Sequence, residues 1–127
     1  MRLKRQKSGF TLIELLVVMA VIATLLTLAA PRYFASLEKS REAVLRANLT
    51  LMRQTLDKYH GDKGRYPDAL DELVVSKYLR SVPADPITES STTWIIVPPD
   101  PPAVGGVYDV RSGAQGIARD GSAYGEW

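Results

Sequence analysis

The chain has no cysteine among its 127 residues. That excludes a disulfide-stapled fold, a zinc finger and a cysteine-held iron–sulfur cluster. It has one histidine, His60, beside Gly61 at the end of a helical pattern, where a histidine is ordinarily a surface residue. A Ser/His/Asp set would have to be built on that single imidazole, and no glycine loop for phosphate and no cluster of metal ligands accompanies it. Asp68, Asp71 and Glu72 lie close together, but capping and solvation account for them. An enzyme finds no residues to work with.

Acidic residues are missing from the first nine positions, MRLKRQKSG, which hold Arg2, Lys4, Arg5 and Lys7. Those four account for the formal charge of +2: without them 12 basic residues face 14 acidic ones, a formal −2. The basicity belongs to the leader, so a high isoelectric point says little for nucleic-acid binding. Lys39, Arg41, Arg46 and Arg53 are interleaved with Glu38, Glu42 and Asp57. This reads as a solvated face with local ion pairs and not as a basic stripe for DNA.

From Phe10 to Ala30 the chain is apolar for about 21 positions, roughly 31 Å as a helix, enough to cross a hydrocarbon core. The basic leader would hold the N-terminus in the cytoplasm. A secretory signal peptide is the rival reading. It fits less well, because the run is too long and no A-x-A site precedes a plausible mature start. Pro31 then interrupts a helical pattern and is placed to kink it. The pattern resumes in RYFASLEKSREAVLRANLTLMRQTLDKYH, where Leu45, Leu49, Met52, Leu56 and Tyr59 form an apolar stripe on one face. Gly61–Gly64 is the expected stop.

Beyond it, Asp68 and Asp71 suggest a capped short helix with Leu70, Leu73 and Val74 inward. Thr93–Val97 and Gly106–Arg111 read as strands, PPDPPAVGG as an exposed loop between them, and RSGAQGIARDGSAYGEW as glycine-punctuated loop. The fold class is α+β: a long N-terminal helix, spanning in its first half and amphipathic in its second, with a head of one short helix and an antiparallel sheet.

One residue does not suit the span. Glu14 is the fifth position of the apolar run, and an ionisable group there is expensive unless it is interfacial or functional. The junction Lys7-Ser8-Gly9-Phe10-Thr11-Leu12-Ile13-Glu14 resembles the type III signal of type IV pilins and of the pseudopilins of type II secretion. The resemblance implies cleavage between Gly9 and Phe10 by a membrane prepilin peptidase, which then N-methylates Phe10. The new amine would lie near Glu14 of its own chain or pair with Glu14 of a neighbour in a helical fibre. Two charges unmatched in an apolar setting are costly, so such a pair would act as a register device.

The head resembles the major pseudopilin of type II secretion in Arg65–Leu70, Tyr78-Leu79, Val82-Pro83, Asp85-Pro86, Tyr108–Val110, Ser112–Ala114 and Asp120-Gly121…Trp127. That resemblance implies a bound calcium ion in the C-terminal loop. The chain departs from the family at Gln115, where an aspartate is usual, leaving Asp120 and Ser122 as a weak donor set. The alternative is a loop tied down by Trp127 packing on the head.

The expected organisation is a cleaved leader (1–9), a transmembrane and filament-core helix (10–31), an amphipathic helix (32–60) and a periplasmic head (61–127). The implied protein is a pseudopilus subunit of a diderm bacterium, stored in the inner membrane. Its implied partners are other copies of itself, minor pseudopilins, the prepilin peptidase, the membrane, an inner-membrane platform and a cytoplasmic ATPase; no nucleic acid is expected. The alternatives are a type IV pilin of a surface fibre and a plain unprocessed anchor.

Overall fold

A computed structural model describes residues 8–100 and 105–127. In chain order they form helix α1 (Leu12–Lys63), helix α2 (Leu70–Val75), strands β1 (Ile95–Val97) and β2 (Asp109–Arg111), and a 3-10 turn at Tyr124–Glu126. The architecture is α+β. Two compact units divide the chain, one ending at Leu37 and the other running from Glu38 to Trp127. The leader up to Lys7 and the Pro-rich residues 101–104 of the expected loop lie outside the described residues.

In the second unit, the face of α1 with the apolar spacing is the floor of the core. Leu45, Leu49, Met52, Leu56 and Tyr59 are each no more than 2% exposed, as the 3.6-residue period requires. Leu73 and Leu79, Trp94, and Val107 and Val110 close over them. α1 runs through Gly61 and ends at Gly64, whose φ of +70° suits a residue without Cβ. The Gly64 N–H donates back to the His60 carbonyl. One internal glycine costs a helix only about 1 kcal/mol, so the first glycine does not stop it.

α2 begins without the aspartate cap that the sequence suggests. Ala69 holds the capping position and offers no side-chain acceptor; Asp68 falls one residue too early. The Glu72 carboxylate reaches back instead and accepts from the Asp68 N–H at 2.6 Å. It also accepts from the Tyr59 hydroxyl at 2.6 Å and from Arg65 at 2.5 Å. One side chain thus joins α1, the link and α2. The Arg65 guanidinium, then the Tyr59 hydroxyl, then the Asp68 N–H hold its pKa down at about 2, against an ordinary 4.5. α2 closes in a Schellman pattern, with Lys77 in the left-handed region at φ +64°.

β1 and β2 pair antiparallel, with Ile95 opposite Arg111, Ile96 opposite Val110 and Val97 opposite Asp109. Both are shorter than the alternating patterns suggest. The chain leaves β2 through Gly113, where a Cβ would meet the Thr93 carbonyl oxygen at 1.9 Å, so only glycine allows that approach. Under it Asp85 is wholly buried. Its carboxylate accepts from the Ile87 and Thr88 N–H groups and from the Ser112 hydroxyl, which satisfies a polar group that burial would otherwise penalise.

Among the described residues, three arginines of α1 pair with carboxylates far along the chain. Arg41 meets Glu89, Arg46 meets Asp120 and Arg53 meets Asp109.

Leu56→Ala is expected to lower the unfolding free energy by about 2–5 kcal/mol, read by chemical denaturation with tryptophan fluorescence. Leu51→Ala, on the exposed side of the same helix, should change it by less than about 0.5 kcal/mol.

The Glu72 carboxylate is more acidic folded than unfolded, so its contribution is complete above pH 4.5 and disappears as pH falls toward 2. Glu72→Gln should reduce stability at neutral pH and flatten the loss across that acid window. An unaltered acid limb would show that other carboxylates set it.

Candidate functional site

The residues singled out by the sequence fall in two places, the start of α1 and the segment from Gly113 to Trp127.

At the start of α1, Ser8, Gly9 and Phe10 are exposed ahead of the helix. Thr11 caps it: the Glu14 N–H donates to Thr11 Oγ1 at 3.2 Å, and the Thr11 N–H donates to Glu14 Oε2 at 3.5 Å. This is a reciprocal capping box over Thr11-Leu12-Ile13-Glu14. The spacing was legible, but reading Glu14 only as a charge in an apolar run missed it. Glu14 therefore has local work, in the first turn where the helix dipole favours an anion. Its bond to Thr11 is long, and a carboxylate has several lone-pair sites. Capacity remains for a stronger donor, such as an ammonium.

Gly9 is not among the glycines with positive φ, and a Cβ added to it would meet nothing within 4 Å. Nothing in the local fold requires glycine there, so any requirement for it lies outside the folded chain.

The helix that follows is apolar all round. From Phe10 to Leu28 its thirteen large apolar side chains are 46% to 89% exposed. Covering them would yield on the order of 20–40 kcal/mol, more than a typical domain's whole stability. The helix is long and apolar enough to cross a membrane. The hydroxyls of Thr24 and Thr27 are satisfied within it: they donate to the Ala20 and Ala23 carbonyls, each at 2.8 Å, as a lipid environment demands. Pro31 lies inside α1 and has no N–H for the Thr27 carbonyl.

In the second place the structure joins Asp120 to Ser122. Asp120 Oδ1 accepts from the Ser122 N–H at 2.9 Å and from its hydroxyl at 2.5 Å, and these bonds lower the Asp120 pKa. Asp120 Oδ2 faces Arg46 at 3.6 Å. Trp127 Nε1 donates to Ser122 Oγ at 2.7 Å. Gln115 is exposed. Calcium needs six to eight oxygens, and this donor set does not fit it. It has one carboxylate with both oxygens engaged and a hydroxyl taken by an indole, and among the described residues no group of three or more acidic or histidine side chains gathers. Trp127 does tie the segment down.

Three residues of α1 that the sequence reading treated as solvated charges grip this segment. Arg53 donates to the Val110 carbonyl at 3.0 Å and to the Trp127 carbonyl at 2.6 Å, besides Asp109. Arg46 lies over the Trp127 ring at 3.7 Å. Glu42 accepts from the Arg119 N–H at 2.9 Å and the Tyr124 hydroxyl at 3.1 Å. Their positions hold a signal: Glu42, Arg46 and Arg53 are spaced by four and seven, one helical face beside the apolar stripe.

Comparison with known proteins bears on the first of these places. Residues 4–30 match the family described as the prokaryotic N-terminal methylation motif. The type II secretion system core protein G of Aeromonas hydrophila is 35% identical over 74 residues, 56% of this chain and 52% of that protein, so the chain spans about half of that relative's length. The core protein G of Klebsiella pneumoniae is 30% identical over 100 residues, 66% of this chain and 71% of that one. The type IV major pilin protein PilA of Myxococcus xanthus is 31% identical over 72 residues, 57% of this chain and 33% of that pilin. No solved structure matches. The chain belongs to the family of type II secretion system core protein G, the major pseudopilins.

Thr11→Val should leave the Glu14 N–H without its cap and speed its exchange about fivefold, the equivalent of about 1 kcal/mol. Amide exchange of the unprocessed chain in detergent micelles would show it. Unchanged exchange at Glu14 would mean that the cap does not hold in the membrane-like state.

Proposed function

We propose that this chain is cut between Gly9 and Phe10, N-methylated on Phe10, and assembled into a helical pseudopilus that drives type II secretion across the outer membrane. The observation that carries this reading is the start of α1: a helix uncovered on every apolar side, with one carboxylate in its first turn. Lipid covers such a helix before assembly, and the same helices of neighbouring subunits cover it afterwards. Prepilin peptidase, which exploits the exposed Gly9–Phe10 bond, supplies the missing amine. Glu14 gives up its long bond to Thr11 for that amine in an adjacent subunit, which fixes the axial register of the fibre. Pro31 supplies a point of bending as the helices pack.

The head stands in the periplasm with the leader on the cytoplasmic side, following the basic residues ahead of the span. A cytoplasmic ATPase and an inner-membrane platform drive growth, and minor pseudopilins begin or cap the fibre. The role is mechanical; the relatives are structural subunits. The match to the Myxococcus xanthus major pilin supports a second reading, a type IV pilin of a surface fibre. Deleting the gene separates the two: lost exoprotein secretion without a lost surface fibre favours the pseudopilus, and the reverse favours the pilus.

The intact mass of the membrane-extracted protein, with its N-terminal peptide sequenced, should show a chain starting at N-methylated Phe10. Glu14→Val should still be processed but fail to assemble, with secretion reduced to background. A chain still starting at Met1, or normal assembly of Glu14→Val, would overturn the proposal.

A further inference from the structure

Arg46 is the cation that the structure sets against Asp120 and Trp127. It leaves α1 one turn after Glu42 and extends over the segment that ends at Trp127. One side of it faces Asp120 Oδ2 at 3.6 Å, and its guanidinium carbon lies 3.7 Å from the centre of the Trp127 ring. The remaining contacts close a circuit. Asp120 Oδ1 holds Ser122 through N–H and hydroxyl, and Ser122 Oγ holds the Trp127 indole N–H. Arg46, Asp120, Ser122 and Trp127 are thus joined in a ring.

A half-exposed Arg–Asp pair alone contributes little. Here the same guanidinium also covers an aromatic face, and its planar fork is fixed to a helix whose adjoining face is core. A divalent ion brought to Asp120 would meet that guanidinium as a like charge, with both carboxylate oxygens already engaged. We propose that the Arg46 guanidinium is the resident cation of this loop, so that the head holds its C-terminal segment in place without calcium. The cation is covalently part of α1, so chelation cannot remove it. The proposal concerns the folded head only, and it stands or falls apart from the secretion reading.

The test is the thermal midpoint of the full-length chain in detergent micelles, followed by tryptophan fluorescence in EGTA and in millimolar calcium. The wild-type midpoints should agree within about 1 °C, whereas Arg46→Ala should fall by about 3 °C or more in both conditions. Arg46→Lys, which keeps the charge and loses the planar stack, should fall between them. A saturable calcium-dependent rise of about 3 °C or more in the wild type, not reproduced by magnesium, would overturn the proposal. So would an Arg46→Ala midpoint equal to the wild type. Should Arg46→Ala fail to fold, the wild-type comparison of calcium with EGTA decides the matter alone.

Discussion

The head depends on one face of one helix. It has no cysteine to form a disulfide and, among the described residues, a sheet of only two strands, and a two-stranded hairpin is at best marginal alone in water. The stripe from Leu45 to Tyr59 supplies the missing surface, and the rest of the core is laid on it. α2 contributes Leu73, β2 contributes Val110, and the residues beside them contribute Leu79, Trp94 and Val107. Removing that face would leave short pieces, none able to bury its own apolar side.

Polar residues at the margin of the stripe do a second job. Apolar burial is nondirectional and cannot fix where a glycine-rich segment lies. Arg53 fixes it through main-chain carbonyls, Glu42 through a main-chain N–H and a phenol, and Arg46 through an aromatic ring. At the other end, Glu72 does the same for α2. The same helix thus carries a packing face and a set of directional clamps. Its N-terminal part has neither among the described residues, and its apolar side chains stand exposed.

How much of this the sequence displayed follows from the range of each interaction. The stripe was legible because a 3.6-residue period in Leu and Met is a local pattern, and the apolar run and the Gly9–Glu14 motif are contiguous. α1 ends within the expected Gly61–Gly64 stop, at its last residue and not its first, because a helix tolerates Gly61 and only Gly64 takes the left-handed turn. Asp68 was taken for the cap of α2 because the exact start of a six-residue helix is not encoded in its composition. The partners of Arg46 and Arg53 and the buried Asp85–Ser112 pair were invisible, since nothing near those residues in sequence announces a partner so far along the chain.

Distance along the chain has a temporal meaning too. The Glu42 contacts to Arg119 and Tyr124 close loops of 77 and 82 residues, and the Arg53 contact to Trp127 closes one of 74. Synthesis runs from the N-terminus, so α1 emerges first and waits with its clamps empty. The final contacts cannot form until the segment around Arg119–Trp127 has cleared the machinery that makes and moves the chain. Closure of the head is therefore a late event, and until it happens the stripe on α1 is covered only in part.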